Sequence, residues 1–447
     1  MKLDIPLPVQ TILRRFYSAG FEASVVGGCV RDSLLGLTPK DWDITTSARP
    51  EQVQHVLGDF RLLATGLKHG TVTALSDGMP VEITTYRIDG TYSDNRRPDS
   101  VCFTNRLADD LSRRDFTINA MAYSEQNGLT DCFGGQEDLQ NSILRCVGEP
   151  DRRFEEDALR ILRGLRFCAV LGLTPESATA QSMQTHCRLL DHIAKERIGS
   201  EFIRLLCGNY APQVLREYPL IVGQILPEIL PMIGFEQHNP HHIYDVWEHT
   251  LHALDVIPAD PVLRLAILLH DSGKPYTYTQ DKKGVGHFHG HGSVSVELAQ
   301  QALTRLRFDG KTTRRVCSLI RIHDMPLQPD PAWIRRRLSR MGEEDFRALL
   351  EIRRADSLAQ NPAYRDRLTQ LDALLPILEQ ILAEQQCFSL KDLCIDGTDL
   401  ITLGLRPGPM VGELLKQLLD AVIQGKTANE KEALLTLAKQ ILNEKHR

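Results

Sequence analysis

Residues 27–46 read GGCVRDSLLGLTPKDWDITT and place two aspartates, Asp41 and Asp43, one residue apart at the start of a β-branched run. On a strand, residues i and i+2 point to one face, so both carboxylates would share a face while Trp42 and Ile44 point into the core. Two carboxylates this close repel each other unless a positive charge lies between them. One or two divalent metal ions would supply that charge, and oxygen-only ligands favour Mg²⁺.

The residues before the aspartates suit a phosphate. Gly27 and Gly28 follow the apolar run ASVV and would let backbone amides approach a phosphate at a helix N-terminus. Arg31 would add a charge-assisted contact, and Glu82 in the run VEITTYR offers a further carboxylate. For the aspartates alone, a solvated loop with a chance Asp-x-Asp is the alternative. The whole combination favours a metal-dependent nucleotide site.

The composition indicates an ordinary globular protein rather than a membrane protein or a generic polyanion binder. The chain has 447 residues, 42% hydrophobic and 25% charged, which suits roughly two to four domains. Its formal net charge is −6, so any nucleic acid must be held by local basic patches. The ten cysteines form no CxxC pair and are expected to be reduced thiols. We find no long apolar run and no signal-peptide layout, and expect a cytoplasmic protein without membrane contact.

The secondary-structure pattern changes near residue 140. Before it, a helical pattern over residues 8–20 is followed by short β-branched runs separated by Gly, Asp and Pro: ASVV, WDITT, TVTAL and VEITTYR. After it, strand signals nearly vanish and apolar stripes with a period of 3.6 residues predict helices. We therefore predict an α+β N-terminal head, with a small mixed sheet and helices, followed by a long all-α remainder.

Several motifs in this order resemble those of the class II tRNA nucleotidyltransferases, the group of CCA-adding enzymes and bacterial poly(A) polymerases. They are the GG…DWD stretch, SRRDFTINAMAY at 112–123, DCFGGQEDL at 131–139, EEDALRILRGLRF at 155–167 and KERIGSEF at 195–202. The resemblance implies an elongated chain with a catalytic head at 1–140, a nucleotide-selecting helical neck at 141–205, a helical body with an HD metal site at 206–375 and a helical tRNA-binding tail at 376–447. It also implies that Asp41 and Asp43 bind catalytic Mg²⁺.

The implied reaction is two-metal nucleotidyl transfer, in which an RNA 3′-hydroxyl attacks the α-phosphate of a nucleoside triphosphate. Asp41 and Asp43 would hold two Mg²⁺ ions, one lowering the pKa of the 3′-hydroxyl and one neutralising the pyrophosphate. By resemblance, Arg114 contacts the triphosphate. Asp115 and Glu82 are both candidates for the third catalytic carboxylate, and Asp115 is equally interpretable as a structural partner of Arg113. The Gly- and Asp-rich segment between VEITTYR and RRDFT has the family's full-length form, DxRRP, at Asp94, Arg96 and Arg97, which favours CCA addition over CC addition.

A candidate base-selecting helix begins at Glu156. Arg160, Arg163 and Arg166 recur every three residues, and Asp157 starts the same row. A carboxylate that accepts from an exocyclic amino group and a guanidinium that donates to a ring nitrogen suit both cytosine and adenine. Uracil and guanine would leave buried groups unpaired, at about 1–3 kcal/mol each. The family motif E-D-x-x-R has this role; a solvated basic face with an Asp157–Arg160 pair is the alternative.

A second constellation lies downstream and resembles the HD metal-dependent phosphohydrolases. Its members are His249, His270, Asp271, His291, His323 and Asp356. Imidazoles with carboxylates suit Mn²⁺, Fe, Ni²⁺, Co²⁺ or Zn²⁺ better than Mg²⁺. The resemblance implies hydrolysis of cyclic phosphates or phosphomonoesters on RNA ends; a purely structural body is the alternative. We interpret the neighbouring His241, His242, His287 and His289 as surface residues.

The expected partners are tRNA, held at its 3′ end and elbow, with CTP and ATP as substrates; no protein partner is predicted. The basic runs at 305–315 and 334–340 are candidate phosphate contacts, and the stretch RPGPM resembles the tRNA-gripping tail of Gram-positive-type enzymes. We predict template-independent CCA addition with a possible phosphohydrolase activity at the HD site. The alternatives are an A-adding enzyme or poly(A) polymerase, an HD phosphohydrolase acting on RNA ends, and a non-catalytic RNA-binding scaffold.

Overall fold

The computed structural model describes residues 2–67, 70–90, 100–383 and 389–445 of the chain. The chain divides into two compact units. The first comprises residues 1–230 and 305–308, and the second comprises residues 231–304 and 309–447.

The first unit is built on a seven-stranded sheet whose strand order is β3-β4-β5-β2-β1-β8-β9. All neighbouring pairs are antiparallel except β2 and β5, which are parallel. Two further strand pairs, β6–β7 and β10–β11, lie outside this sheet. The strands of this unit are β1 (Ala23–Val26), β2 (Trp42–Thr46), β3 (Arg61–Gly66), β4 (Thr71–Ser76), β5 (Met79–Thr85), β6 (Arg87–Asp89), β7 (Val101–Phe103), β8 (Met121–Ser124), β9 (Gly128–Asp131), β10 (Ile143–Leu144) and β11 (Thr174–Pro175).

Short helices surround the sheet, and a helical region follows it in the same unit. The helices are α1 (Leu7–Ser18), α2 (Gly28–Leu34), α3 (Pro50–Val56), α4 (Leu107–Ser112), α5 (Gly135–Gln140), α6 (Pro150–Glu156), α7 (Leu159–Leu171), α8 (Ser177–His186), α9 (Lys195–Leu206), α10 (Ala211–Glu217) and α11 (Pro219–Ile225). The apolar stripe of α7 is buried, which includes Ile161, Leu162 and Leu165. This burial explains why a helix with three arginines folds here.

The second unit is helical apart from one small strand pair. Its elements are α12 (Val246–Val256), α13 (Pro261–Leu269), α14 (Lys274–Thr277), β12 (Thr279–Gln280), β13 (Gly286–His287), α15 (His291–Arg305), α16 (Gly310–Ile322), α17 (Pro331–Ala359), α18 (Asp366–Ala383), α19 (Gly397–Thr402), α20 (Pro409–Ile423) and α21 (Lys431–Lys445). Helix α17 is interrupted at Gly342, whose φ is 79°. One apolar cluster joins α17 and α18, and another joins α19, α20 and α21.

The predicted fold class, a mixed head followed by a helical remainder, is confirmed. The predicted strands ASVV, WDITT, TVTAL and VEITTYR correspond to β1, β2, β4 and β5. The sequence missed β3, β8 and β9, whose residues show weaker alternation. One predicted helix is wrong at its start: α6 ends at Glu156, Asp157 is extended, and α7 begins only at Leu159.

The two compact units are a coarser division than the four predicted segments, whose boundaries stay predictions. The nine described cysteines are free thiols. Among the described residues, no helix combines the length and the apolar character needed to cross a membrane.

Candidate functional sites

The first candidate site lies on neighbouring strands of the head. Trp42 and Ile44 are buried as predicted, with 5% and 1% exposure, while Asp43 between them is half-buried and Asp41, just before β2, is exposed. In the parallel pairing of β2 with β5, Asp43 lies opposite Glu82. The two carboxylates therefore stand side by side on one face of the sheet.

The charges of these carboxylates are not balanced within the protein. Burial raises the pKa of Asp43 to about 6, the charges of Glu82 and Asp41 raise it too, and Arg114 acts in the opposite direction. A carboxyl group with a raised pKa beside two other carboxylates is costly to ionise. A cation bound by their oxygen atoms would lower the free energy of the ionised state. Asp43 and Glu82 thus offer two adjacent carboxylates to a cation, and Asp41 is the exposed residue just before β2. Among the described residues, the groups whose ligand atoms all lie within 4.8 Å of one another are those of the helical unit described below.

Gly27 lets a half-buried arginine, Arg114, approach this site. The φ of Gly27 is 80°, and a Cβ at this position would lie 2.8 Å from Nη1 of Arg114. The missing side chain therefore lets the guanidinium approach the turn between β1 and α2, which leads into Gly28. Nε of Arg114 is buried and has no hydrogen-bond partner among the described residues, and its nearest ion pair, to Asp110, is long at 3.7 Å. An anionic ligand would satisfy this donor.

Asp115 belongs to a different network. Its Oδ2 lies 2.7 Å from Nη2 of Arg163, while its Oδ1 accepts from the backbone amide of Phe116 and from Nδ2 of Asn119. Burial alone would raise the pKa of Asp115, but Arg163 and the other donors hold it below its ordinary value. The carboxylate is thus already paired, which favours Glu82 as the third carboxylate.

The partner that the sequence suggested for Asp115 is wrong. Arg113 instead pairs with Asp110, at 2.7 Å. Arg31, the predicted phosphate contact, extends the Asp115 network: its Nη1 donates to Oδ1 of Asn119 at 2.6 Å, and its Nε and Nη2 donate to Asp32.

Asp157, the predicted base acceptor, lies in the break between α6 and α7. Its Oδ1 accepts from the amide of Leu159 at 3.1 Å, and its Oδ2 accepts from Nη2 of Arg197 at 3.0 Å. Asp157 is thus bonded to Leu159 and Arg197, and the alternative Asp157–Arg160 pair stays a prediction. Arg197, within KERIGSEF, was not singled out from the sequence, although its place in a recognised motif was a signal.

Arg160, the predicted base donor, is held on three sides. Its Nη1 donates to Oε2 of Glu156 at 2.7 Å and to the carbonyl of Arg153, and its Nη2 donates to the carbonyl of Arg113. The residue is buried, with 9% exposure. These contacts fix the guanidinium of Arg160 in the first turn of α7, which follows the break at Asp157.

The remaining arginines of α7 surround an aromatic ring. The guanidinium carbons of Arg163 and Arg166 lie 5.7 and 4.2 Å from the centroid of the Phe167 ring, and that of Arg31 lies 5.0 Å from it. Arg166 also approaches Glu201, at 3.2 Å. Cation–π attraction stabilises this grouping, so Arg163 and Arg166 are oriented by Phe167, which sequence reasoning missed.

The second candidate site lies in the helical unit and brings all six predicted HD residues together. Ligand atoms of His249, His270, Asp271 and Asp356 lie within 4.8 Å of one another, and so do those of Asp271, His291 and His323. Asp271 belongs to both groups. These groups fit divalent metal ions with mixed nitrogen and oxygen ligands.

The four imidazoles of this site are oriented in the same way. In each ring Nδ1 lies near a backbone carbonyl: 3.3 Å for His249, 2.7 Å for His270, 2.9 Å for His291 and 2.6 Å for His323. A carbonyl can only accept, so Nδ1 carries the proton and Nε2 of each neutral ring keeps its lone pair. All four Nε2 atoms take part in the inward groups: that of His249 lies 3.0 Å from Asp356 Oδ1, and those of His291 and His323 lie 3.1 Å apart.

Charge balance in this site differs from that in the head. Burial alone would lower the pKa of His270, but Asp271 and Asp356 raise it to about 10. Burial, together with the charge of His270, lowers the pKa of His323 to about 4. Nζ of Lys274 lies 2.7 Å from Asp271 Oδ2. The two aspartates thus attract positive charge, which bound metal would also provide.

The histidines near the HD site differ from the prediction at one position, His242. His242 is wrongly interpreted as a surface residue: it packs edge-on against His249, with ring centroids 4.9 Å apart, and burial lowers its pKa to about 2. His241, His287 and His289 line a cavity of about 620 Å³ over Asp271, His291 and His323.

The predicted loop residues Asp94, Arg96 and Arg97 lie outside the described residues.

Comparison with known proteins shows the family to which the chain belongs. Residues 23–145 match the Poly A polymerase head domain, residues 172–233 the probable RNA and SrmB-binding site of polymerase A, and residues 290–438 the putative tRNA nucleotidyltransferase domain 2. The chain is 33% identical to the CCA-adding enzyme of Lacticaseibacillus paracasei over 448 residues, with 99% of each chain covered. The chain belongs to the CCA-adding enzyme family.

Two further relatives of CCA-adding type extend the comparison. The Leuconostoc citreum CCA-adding enzyme is 35% identical over 446 residues, covering 98% of both chains. The crystal structure of the Bacillus stearothermophilus CCA-adding enzyme in complex with CTP has a TM-score of 0.70 and 29% identity, covering 99% of both chains. The nucleotidyltransferase resemblance is thus confirmed across the whole length, whereas the HD resemblance stays a prediction.

Proposed function

We propose that this protein is a CCA tRNA nucleotidyltransferase that adds CCA to tRNA 3′ ends from CTP and ATP without a nucleic-acid template. Family membership supports the reaction class. The observation that carries the assignment to residues is the pair of carboxylates Asp43 and Glu82 on neighbouring strands, together with a glycine turn that admits Arg114, a half-buried arginine whose Nε has no hydrogen-bond partner among the described residues.

Asp41, Asp43 and Glu82 would hold the divalent metal, and Mg²⁺ is the ion that an all-oxygen set prefers. Bound there, Mg²⁺ would lower the pKa of the attacking 3′-hydroxyl and neutralise the pyrophosphate. Arg114 would donate to the triphosphate, which Gly27 and Gly28 admit close to the backbone. Asp115 is assigned a positioning role, because its carboxylate is bonded to Arg163 and Asn119.

Selection of cytosine and adenine is assigned to Asp157 and Arg160. Arg197 orients the carboxylate of Asp157, and Glu156 orients the guanidinium of Arg160. Neither side chain can turn to suit uracil or guanine without losing these bonds. Arg160→Ala should therefore weaken discrimination between CTP and UTP more than it weakens triphosphate binding. Unchanged discrimination by this variant would contradict the assignment.

Primer extension tests the overall reaction. Protein, Mg²⁺, CTP and ATP are mixed with tRNA that lacks its 3′ CCA, and the product ends are sequenced. Growth through C and CC to CCA, followed by a stop, is expected. Addition of adenosine only, and only to transcripts ending in CC, would make this an A-adding enzyme. Asp43→Asn is the inactive control, and Asp4→Asn, an exposed acid of the same unit, is the matched active one.

We also propose a second activity, metal-dependent hydrolysis of phosphate esters on RNA ends, at the HD site. The supporting observation is the set of four Nδ1–carbonyl contacts, which direct every Nε2 toward Asp271 or Asp356. Mn²⁺, Ni²⁺, Fe, Co²⁺ or Zn²⁺ suits these ligands and would activate water for attack on phosphorus. Lys274 lies in the cavity wall, where its Nζ pairs with Asp271 Oδ2 at 2.7 Å.

Hydrolysis of a 2′,3′-cyclic mononucleotide by the full chain, with each metal in turn, tests this activity. We expect His270→Ala to abolish hydrolysis and to lower the content of bound metal, while CCA addition persists. Asp43→Asn should show the reverse pattern. Loss of hydrolysis in Asp43→Asn with normal hydrolysis in His270→Ala would refute the assignment.

The finer organisation is proposed on the same basis. The separate apolar cluster of residues 393–442 supports a tail that folds around its own core, with tRNA binding as its role. The segments 1–140, 141–205, 206–375 and 376–447 and a cytoplasmic location stay predictions.

A further inference from the structure

The basic run at 305–315 separates into paired and unpaired residues. Arg305 forms a two-contact ion pair with Glu228, both contacts at 2.7 Å, and Arg315 pairs with Glu344 and Asp345, both at 2.6 Å. These two arginines are therefore structural. Lys311 and Arg314 are exposed, and neither has an ion-pair partner within the described parts of the chain.

Helix α16 presents the unpaired charges along one face. Lys311, Arg314, Ser318 and Arg321 are separated by three, four and three residues, and all four are exposed. This spacing places them in one row about 15 Å long. The row ends two residues before His323, an HD residue that follows the last turn of α16.

This row borders a cleft that meets the HD cavity. The cleft has a volume of about 470 Å³ and lies between α15 and α16, with Glu297, Gln300, Gln301, Arg314, Ser318 and Arg321 in its walls. Arg321 also lines the 620 Å³ cavity over Asp271 and His323. Arg321 is therefore the residue that the walls of the two cavities share.

We propose that this cleft binds the single-stranded RNA that precedes the phosphate hydrolysed at the HD site, so that the substrate is an RNA 3′ end rather than a free nucleotide. The proposal rests on the proposed phosphohydrolase activity. Arg314 and Arg321 would contact successive backbone phosphates, while Gln300, Gln301 and Ser318 offer hydrogen bonds to sugars or bases. Glu297 is the one acidic group of the cleft walls and opposes binding.

The reaction is balanced with water alone. Water oxygen bonds to the phosphorus of the terminal 2′,3′-cyclic phosphate, one ring P–O bond breaks, and the released ribose oxygen takes a proton from the water. The product is an RNA ending in a phosphomonoester and a free hydroxyl. The cleft residues take no part in this step and act on binding only.

The test compares two substrates of the full-length protein with Mn²⁺: a 2′,3′-cyclic mononucleotide and a short RNA that ends in a 2′,3′-cyclic phosphate. Arg314→Gln should lower kcat/KM for the RNA about 5- to 10-fold through KM and leave the mononucleotide value within about twofold. Its plot of log kcat/KM against log salt should be less steep by about 0.7, the value for one lost phosphate contact with a single strand. Glu297→Gln should change the RNA value in the opposite direction, which a general structural defect would not do.

Four outcomes contradict the inference in different ways. Equal losses on both substrates would make Arg314 structural. Normal RNA kinetics in both variants would show that the cleft does not bind RNA, while leaving the phosphohydrolase assignment intact. Inhibition of RNA hydrolysis by polyglutamate as strong as the inhibition by competing RNA would show that the cleft binds any polyanion, and would also contradict the inference. Absence of hydrolysis of either substrate with Mn²⁺, Ni²⁺ or Co²⁺ would refute the phosphohydrolase itself, and the inference with it.

Discussion

Replacing Asp43 by Asn should stabilise the metal-free head while abolishing nucleotide addition. Burial raises the pKa of this carboxyl from 3.8 to about 6, and Glu82 adds to the effect. The folded protein therefore retains the proton more firmly than the unfolded chain, so stability is full below about pH 4 and is lost as the pH rises to about 6. At about 1.36 kcal/mol per pKa unit, ionised Asp43 costs the fold about 3 kcal/mol at neutral pH.

Asn keeps the shape of the side chain and removes the charge. With EDTA present, we expect Asp43→Asn to exceed the wild type by about 1–3 kcal/mol at pH 8 and to equal it at pH 4. About 2 kcal/mol corresponds to a rise in Tm of about 4–8 °C for a unit of this size. Excess Mg²⁺ should stabilise the wild type and leave the variant unchanged.

Thermal unfolding, combined with hydrogen exchange of peptides from β2 and β5, would measure this effect in the head itself. Asp4→Asn is the matched control, since Asp4 is an exposed acid of the same unit. A variant that is less stable than the wild type at pH 8 without metal would refute the reasoning, because it would mean that ionised Asp43 is already compensated within the protein.

Three further predictions address other parts of the two sites. Gly27→Ala places a Cβ 2.8 Å from Arg114 at a φ of 80°, so it should lower kcat/KM for CTP addition at least tenfold and cost about 1–3 kcal/mol in urea unfolding; wild-type kinetics would contradict the close approach. Asp115→Asn leaves Arg163 only its long ion pair with Glu201, at 4.0 Å, and should cost about 2 kcal/mol, whereas the double variant with Arg163→Met should recover part of that loss in a double-mutant cycle. A purely catalytic Asp115 would show no such coupling. Mn²⁺ should raise the Tm of the wild type but not that of His249→Ala, and equal shifts would place the metal elsewhere.

Strands β1, β2, β4 and β5 of the head were predictable because each of these four carries its own local signal, which β3, β8 and β9 lack. The runs around Asp43 and Glu82 are β-branched and bounded by Gly, Asp or Pro, which defines a strand without tertiary information. The parallel pairing that places Asp43 opposite Glu82 was not predictable, because it depends on which strands become neighbours. The sequence therefore proposed Glu82 and Asp115 equally, and the structure favours Glu82.

The base-selecting region shows a different limit. The three-residue spacing of Arg160, Arg163 and Arg166 correctly predicted a helix, but the same periodicity was extended backwards through Asp157. The extended backbone at Asp157 depends on bonds to Leu159 and Arg197. Arg197 is forty positions away, and no local pattern reports a contact at that distance. The set of HD residues could be predicted for the opposite reason. Their residue types and their order along the chain specify the set without information about distant contacts.

The two candidate metal sites balance charge in opposite ways, and this has a measurable consequence. In the head, Asp43 has a raised pKa and no proton is stored on a neighbouring base, so metal binding should stop depending on pH above about 6. In the HD site, Asp271 and Asp356 hold a proton on His270 with a pKa of about 10, so metal must displace that proton.

Calorimetry of Mn²⁺ binding at pH 8, in two buffers of different ionisation enthalpy, would count the protons released. About one proton is expected from Asp43→Asn, where only the HD site binds, and close to none from His270→Ala, where only the head does. Equal proton release in the two variants would mean that His270 is neutral before metal binds.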